Sequence, residues 1–238
     1  MKKGLSEEQR LRYSRQIAIG EIGRNGQELI RDAKVLVIGC GALGSMAAMQ
    51  LAGAGIGTIG ICDFDSIDIS NLQRQFFYKA TDCGRLKTEV LAQRIKELNP
   101  DIRLNIYNFF MSEIRAEQVF KEYDFIIDGT DNPDSKKITG EVSKKNGKAC
   151  CIGGVSEFRG QIMTFTPETP RFEEFFGNAS SDGFLPCSLG GVFGPAAALC
   201  ATMQASEAIK YLSGVGDLLS GKLMIFDLQS NKFNIYSL

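Results

Sequence analysis

The sequence predicts an α/β fold, a doubly wound and mostly parallel sheet that ends in an antiparallel extension. Three observations predict it. Short apolar, β-branched runs alternate with helix-length segments from residue 33 to residue 153, and such alternation implies crossover units with a sheet covered on both faces. A Gly-rich turn, GCGALG, joins the first run to the helix after it. Beyond Gly153 the alternation stops, and the chain closes on KLMIFDL and KFNIYSL flanking QSN, the pattern of a hairpin.

Taken in order, residues 6 to 17 read as a charged helix and GQELIRDA as a second, short one. AKVLVIG (33 to 39) is a β-branched run bounded by Gly, which at that length reads as a buried strand. ALGSMAAMQLAGAG holds helix formers up to a Gly-rich stop. The same reasoning places strands at 58 to 63, near 102 to 107, at 124 to 128 and at 149 to 153. Helices are expected near 85 to 98, at 112 to 122 and at 133 to 146. GQIMTFTPE reads as a strand, 167 to 190 as a long irregular stretch, and 192 to 214 as an apolar helix of small residues suited to burial between elements or subunits. No linker divides the chain, so residues 1 to 238 are expected to form one domain with halves meeting near 153/154.

Composition narrows the function. With 44% hydrophobic and 23% charged residues the chain has the balance of a globular protein. A formal charge of -1 gives no reason to expect nucleic acid or an anionic membrane as partner. No uninterrupted apolar stretch has spanning length, and MKKGLSEEQRLRYSRQ lacks the apolar core of a signal peptide, so a cytoplasmic location is expected. Seven scattered cysteines without a Cys-x-x-Cys pair support neither a disulfide framework nor a thiolate zinc site. Histidine is absent, which excludes Ser-His and Cys-His dyads and His-ligated metals within one chain.

In GCGALG, Gly39, Gly41 and Gly44 have G-x-G-x-x-G spacing between strand and helix, a Rossmann-like arrangement that brings backbone amides to a phosphate. Asp63 ends the second strand, where its carboxylate can accept from ribose hydroxyls. An adenosine nucleotide is therefore expected, and a nicotinamide dinucleotide would ask for the same set. DFDSIDISNLQRQFF discriminates, because a triphosphate needs cations and a metal where a dinucleotide does not. Arg74 and Lys87 are placed to supply cations, Asn71 and Gln75 neutral donors. Asp128, Asp131 and Asn132 emerge at the carboxyl end of the fourth strand. Asp131 is a candidate ligand for Mg²⁺, while TDN can also cap the following helix.

Together RYSRQ, GCGALG, DFDSIDISNLQRQ, GRLK, LNPDI, DGTDN, FRGQIMTFTP, PCSLGGVFGP and QASEAIKYLSG stand in the order and spacing of the ThiF/MoeB/HesA adenylyltransferases. The chain resembles these bacterial relatives of the ubiquitin-activating enzymes from about residue 8 to the C-terminus. The resemblance implies a homodimer that uses MgATP to adenylate the C-terminal Gly-Gly carboxylate of a ubiquitin-like sulfur carrier protein, in thiamine- or molybdopterin-type sulfur transfer. By motif position it implies ribose binding by Asp63 and phosphate binding by Asn71, Arg74 and Lys87. Asp65, Gln75 and Asn132 fall within the same nucleotide motifs. Asp131 would bind Mg²⁺, and Arg15 would reach into the partner's site. Residues 1 to 153 would form the nucleotide half, and 154 to 238 the carrier-binding and dimerisation half.

Three departures from the family pattern stand out. The two zinc-binding Cys-x-x-Cys pairs of many relatives are missing, so no zinc is expected, and Phe172, Phe175 and Phe176 are candidates to hold the loop instead. Ala42 replaces a usual Gly. Cys187 matches a cysteine that in some relatives bonds to the carrier through sulfur, and an incidental loop thiol is the equal alternative. Competing functions are adenylation of another carboxylate, an NAD-binding oxidoreductase, and a nucleotide-binding regulator without catalysis.

Overall fold

The computed structural model describes residues 4–169 and 191–237. Three helices, α1 (Glu7–Arg12), α2 (Ser14–Ile17) and α3 (Gly23–Asp32), precede β1 (Lys34–Ile38), α4 (Ala42–Ala54), β2 (Thr58–Cys62), α5 (Lys87–Leu98) and β3 (Arg103–Tyr107). Then come α6 (Glu113–Val119), β4 (Phe125–Asp128), α7 (Pro133–Lys145), β5 (Ala149–Ser156), β6 (Arg159–Phe165), α8 (Gly194–Ser213), β7 (Lys222–Asp227) and β8 (Lys232–Ser237). All eight strands share one sheet in the order β3-β2-β1-β4-β5-β6-β7-β8. Pairing is parallel from β3 through β5 and antiparallel from β5 through β8, as the sequence leads one to expect.

The alternation of side chains along each strand divides the core in two. On β1, Val35 and Val37 face the side of α4 and α8, while Leu36 and Ile38 join Phe120, Tyr123 and Val142 under α6 and α7. Helix α4 carries almost no polar side chain and buries Leu43, Ala47, Ala48, Leu51 and Ala52. Helix α8 lies against it through Ala196, Ala197, Cys200, Ala201, Ala205 and Ala208, all essentially inaccessible. Small residues permit this approach, and glycines complete it: a Cβ on Gly160 would lie 2.2 Å from the Phe226 ring, and one on Gly153 2.7 Å from Gln204. The buried thiols behave as small apolar groups, since burial pushes Cys62, Cys150 and Cys200 up to about 12.

Three expected elements differ in detail. The helix expected over 6 to 17 breaks at Tyr13, which leaves helical geometry (φ -98, ψ 13) so that its ring packs on Gly55 and its hydroxyl accepts from Asn99 Nδ2 at 2.8 Å. The helix expected over 112 to 122 is helical only to Val119 and tightens into a 3₁₀ turn, Phe120–Glu122. Strand β5 runs three residues past Gly153 because its pairing with β6 continues to Ser156↔Arg159, with Glu157 turning in the left-handed region (φ 52). Among the described residues no helix is long and apolar enough to cross a membrane.

Candidate nucleotide site

The strand order reverses between β1 and β4, and open parallel sheets bind ligands at that point, beyond the carboxyl ends of the strands. Three segments meet there: Gly39–Gly44 after β1, residues 63–86 after β2, and Gly129–Asn132 after β4. Glycine is required where they touch. Gly39 adopts φ +82, and a Cβ on Gly44 would sit 1.7 Å from the Gly39 carbonyl oxygen. Among the described residues no side chain caps α4, which leaves the amides of its first turn, from Ala42 to Gly44, without a capping side chain at the cleft.

Asp63 locks the turn. Its Oδ2 accepts from the Cys40 amide at 2.6 Å and its Oδ1 from the Asp65 amide at 2.8 Å. A carboxylate offers about four lone-pair directions, so about two remain for ribose hydroxyls. The Cys40 carbonyl is held from the other side by Tyr78 Oη at 2.6 Å. Burial, with the Cys40 thiol and Asp63 adding to it, pushes the Tyr78 phenol far up and keeps it a donor. Sequence reasoning missed Tyr78; its signal was a polar-tipped aromatic inside FFYK, next to the cleft motif.

Residues 63–86 fold over this turn and are fastened at their far end by Asp82, whose carboxylate meets Arg85 at 2.9 Å and Arg94 at 3.0 Å. Lys87 is buried and reaches the half-exposed Asp65 at 2.8 Å. Asn71 spends its carbonyl oxygen on the Asp68 amide at 3.1 Å, which leaves its amino group as a donor. Arg74 donates to the Ser70 carbonyl at 3.0 Å and has no carboxylate partner among the described residues. Gln75 is buried with Oε1 unpaired among the described residues, and its Nε2 would lie 3.6 Å from a Cβ on Gly41. Helix amides without a capping side chain and a guanidinium without a carboxylate partner among the described residues are features a bound polyanionic nucleotide would satisfy, whereas the Gln75 oxygen asks for a donor, which phosphates lack.

At the end of β4, Asp128 is fully buried and internal: it accepts from Thr130, Lys136 and Thr139. Asn132 is the cap of α7, its Oδ1 accepting from Asp134 at 2.8 Å and Ser135 at 3.2 Å. Asp131, between them, is exposed and has no partner among the described residues. Mg²⁺ beside phosphates takes one or two protein carboxylates, and Asp131 fits that demand. Among the described residues no cluster of three acidic or thiol ligands exists. Arg15 is not gathered into this cleft. It lies on α2, which docks through Gln16 onto the Ala54 carbonyl, at the far end of α4 from the Gly-rich turn; thirteen residues of helix span about 20 Å. Cys187, Phe172, Phe175 and Phe176 lie outside the described residues. A separate concavity of about 870 Å³ lies at the amino edge of the sheet, near Tyr13, Lys34 and Arg103, and its Arg31 is paired with Asp32.

The family model described as ThiF family matches residues 13–238. The chain belongs to the ThiF family. Among curated relatives, this ThiF-family chain is 38% identical over 229 residues to the probable adenylyltransferase/sulfurtransferase MoeZ of Mycobacterium tuberculosis, covering 94% of this chain and 58% of that protein. It is 36% identical over 236 residues to the probable molybdopterin-synthase adenylyltransferase of Porphyra purpurea (98% and 62%). To the sulfur carrier protein adenylyltransferase of Thermus thermophilus it is 32% identical over 229 residues (93% and 84%). The chain thus spans about three fifths of the length of the first two. Escherichia coli MccB shares the fold, with a TM-score of 0.85 at 22% identity over 98% of this chain and 70% of MccB.

Proposed function

We propose that this ThiF-family chain uses MgATP to adenylate the C-terminal Gly-Gly carboxylate of a ubiquitin-like sulfur carrier protein, in the cytoplasm and in sulfur transfer of the thiamine or molybdopterin type. One observation carries the reading: the uncapped start of α4, the buried Lys87 and, without an ion-pair partner among the described residues, Arg74 and Asp131 all belong to the segments that meet at one strand-end cleft. Cations and a metal-binding carboxylate together match a triphosphate, and a dinucleotide would leave them unused. The names of the Thermus and Porphyra relatives support the choice of reaction.

In the reaction a carboxylate oxygen of the carrier attacks the α-phosphorus, the bond from that phosphorus to its β-bridging oxygen breaks, and pyrophosphate leaves. No proton changes hands, because a carboxylate is already ionised at neutral pH, and a chain without histidine suffices. Catalysis is positioning and charge stabilisation. Asp63 holds the ribose, the amides of Ala42 to Gly44 with Asn71, Arg74, Gln75 and Lys87 hold the phosphates, and the Asn132 amino group remains a donor nearby. Asp65 anchors Lys87. Asp131 would hold magnesium, which when bound draws charge from the phosphate oxygens. Arg15, about 20 Å from its own cleft, serves the cleft of a second copy in a homodimer. Residues 154–238 form the carrier-binding and dimerisation half.

ATP–pyrophosphate exchange stimulated by a Gly-Gly-ending carrier tests the proposal, and it should vanish in Asp131→Ala. Mixing Arg15→Ala with Asp131→Ala subunits should restore about a quarter of wild-type exchange, since half of randomly paired dimers hold one intact composite site. Exchange that survives in Asp131→Ala removes Asp131 from the mechanism, and no recovery on mixing removes the shared arginine.

A further inference from the structure

We infer that Lys136 is a positioning residue that sets where Asp131 stands, by gripping the peptide group that leads into it. The inference rests on the functional reading above, in which Asp131 holds magnesium. The Lys136 ammonium has three N–H donors and uses all of them. It meets the Thr130 carbonyl at 2.5 Å, the Gly153 carbonyl at 2.6 Å and Asp128 Oδ1 at 3.2 Å. The Thr130 carbonyl belongs to the peptide unit whose N–H is that of Asp131, so the ammonium fixes the plane from which the Asp131 Cα departs.

The surrounding bonds make this grip rigid. Thr130 gives its amide (3.0 Å) and its hydroxyl (2.7 Å) to Asp128 Oδ1, and Thr139 gives its hydroxyl to Oδ2 at 2.6 Å. Gln204 Nε2 holds the Asp128 carbonyl at 2.7 Å and the Cys151 carbonyl at 3.2 Å, tying β4 to β5 from beneath. On the other flank Asn132 is fixed as the cap of α7. Among the described residues Asp131 is therefore an unanchored side chain between two anchored residues of its loop. A lysine in the second turn of a helix opposes the helix dipole, and the fully buried Asp128 and two carbonyls offset that. Its charge also neutralises Asp128, which leaves Asp131 as the carboxylate of this loop still able to attract a divalent ion.

The test reads magnesium rather than turnover. ATP binding is measured by calorimetry across a Mg²⁺ titration and in chelator, on the whole chain. Lys136→Met alone strands a buried carboxylate and is prone to misfold, so the informative variants are Asp128→Asn/Lys136→Met, which removes both charges, and Lys136→Arg, which keeps a cation against Asp128. Both are expected to unfold cooperatively and to bind metal-free ATP as the wild type does. Both should need about 10- to 100-fold more Mg²⁺ for half of its effect, the range seen when supports of a metal ligand are lost. A purely structural Lys136 would lower thermal stability and leave the Mg²⁺ midpoint alone. Either variant, folded and with the wild-type midpoint, overturns the inference. Wild-type protein whose ATP affinity ignores Mg²⁺ overturns the functional reading and this inference with it.

Discussion

Replacing Asp63 by Asn changes one atom at the point where the Gly-rich turn, the proposed ribose site and the β2 loop share an anchor. Its two oxygens already accept from Cys40 N at 2.6 Å and Asp65 N at 2.8 Å. Whichever way an asparagine amide is turned, its NH₂ faces one of those donors, so one charge-assisted bond is lost, at about 1.5–3 kcal/mol. Urea unfolding is expected to report a stability loss of that order. Of the two lone pairs left for ribose, the one on the replaced oxygen disappears and the other loses its charge. At the low end of the same range each hydroxyl bond contributes about tenfold in affinity. Calorimetry should thus show wild type preferring ATP over 2′,3′-dideoxy-ATP by about 10- to 100-fold, and Asp63→Asn preferring it by less than about tenfold. An asparagine variant that keeps the wild-type preference would show that the ribose is bound elsewhere, and the assignment of the cleft would fail.

Gly44→Ala places a methyl 1.7 Å from the Gly39 oxygen, whereas on Gly41 the nearest atom is Gln75 Nε2 at 3.6 Å. Gly44→Ala should therefore cost about 1–3 kcal/mol or more and Gly41→Ala much less; equal urea midpoints for the two variants would refute the close approach. At Asp82 burial raises the carboxyl, but the Lys79 amide, Arg94 and Arg85 outweigh it and hold it below the usual carboxylate range. Its contribution to stability is present above about pH 4 and is lost as pH falls through the lowered folded value. Asp82→Asn should flatten that acid limb of the melting profile, and identical limbs in variant and wild type would contradict the pairing.

Much of this arrangement is legible in one dimension. The β1 strand, the Gly-rich turn and Asp63 announce themselves because strand period, glycine spacing and strand-end position are local properties. Asn132 illustrates a limit: TDN reads equally as a cap or a ligand, and only the positions of the Asp134 and Ser135 amides show that its oxygen is spent. Tyr78 escapes sequence reasoning because its partner Cys40 is distant in the chain, and Lys136 because one of its three acceptors, Gly153, lies on another strand while the other two, Thr130 and Asp128, fit no helical spacing. The break at Tyr13 is likewise tertiary, made by a ring that must reach Gly55 and Asn99. Arg15 carries a motif in sequence, yet its distance from the Gly-rich turn emerges only when α2 is seen docked at the wrong end of α4.

The contact between Lys87 and Asp65 bears on how the cleft would receive an anion. One of the ammonium's three N–H donors is spent on that carboxylate, so on the proposed reading a phosphate shares the cation with Asp65 and meets a charge already half answered. Truncating the lysine would therefore do more than delete an attraction: it would leave the uncompensated carboxylate facing the phosphates as a repulsive neighbour.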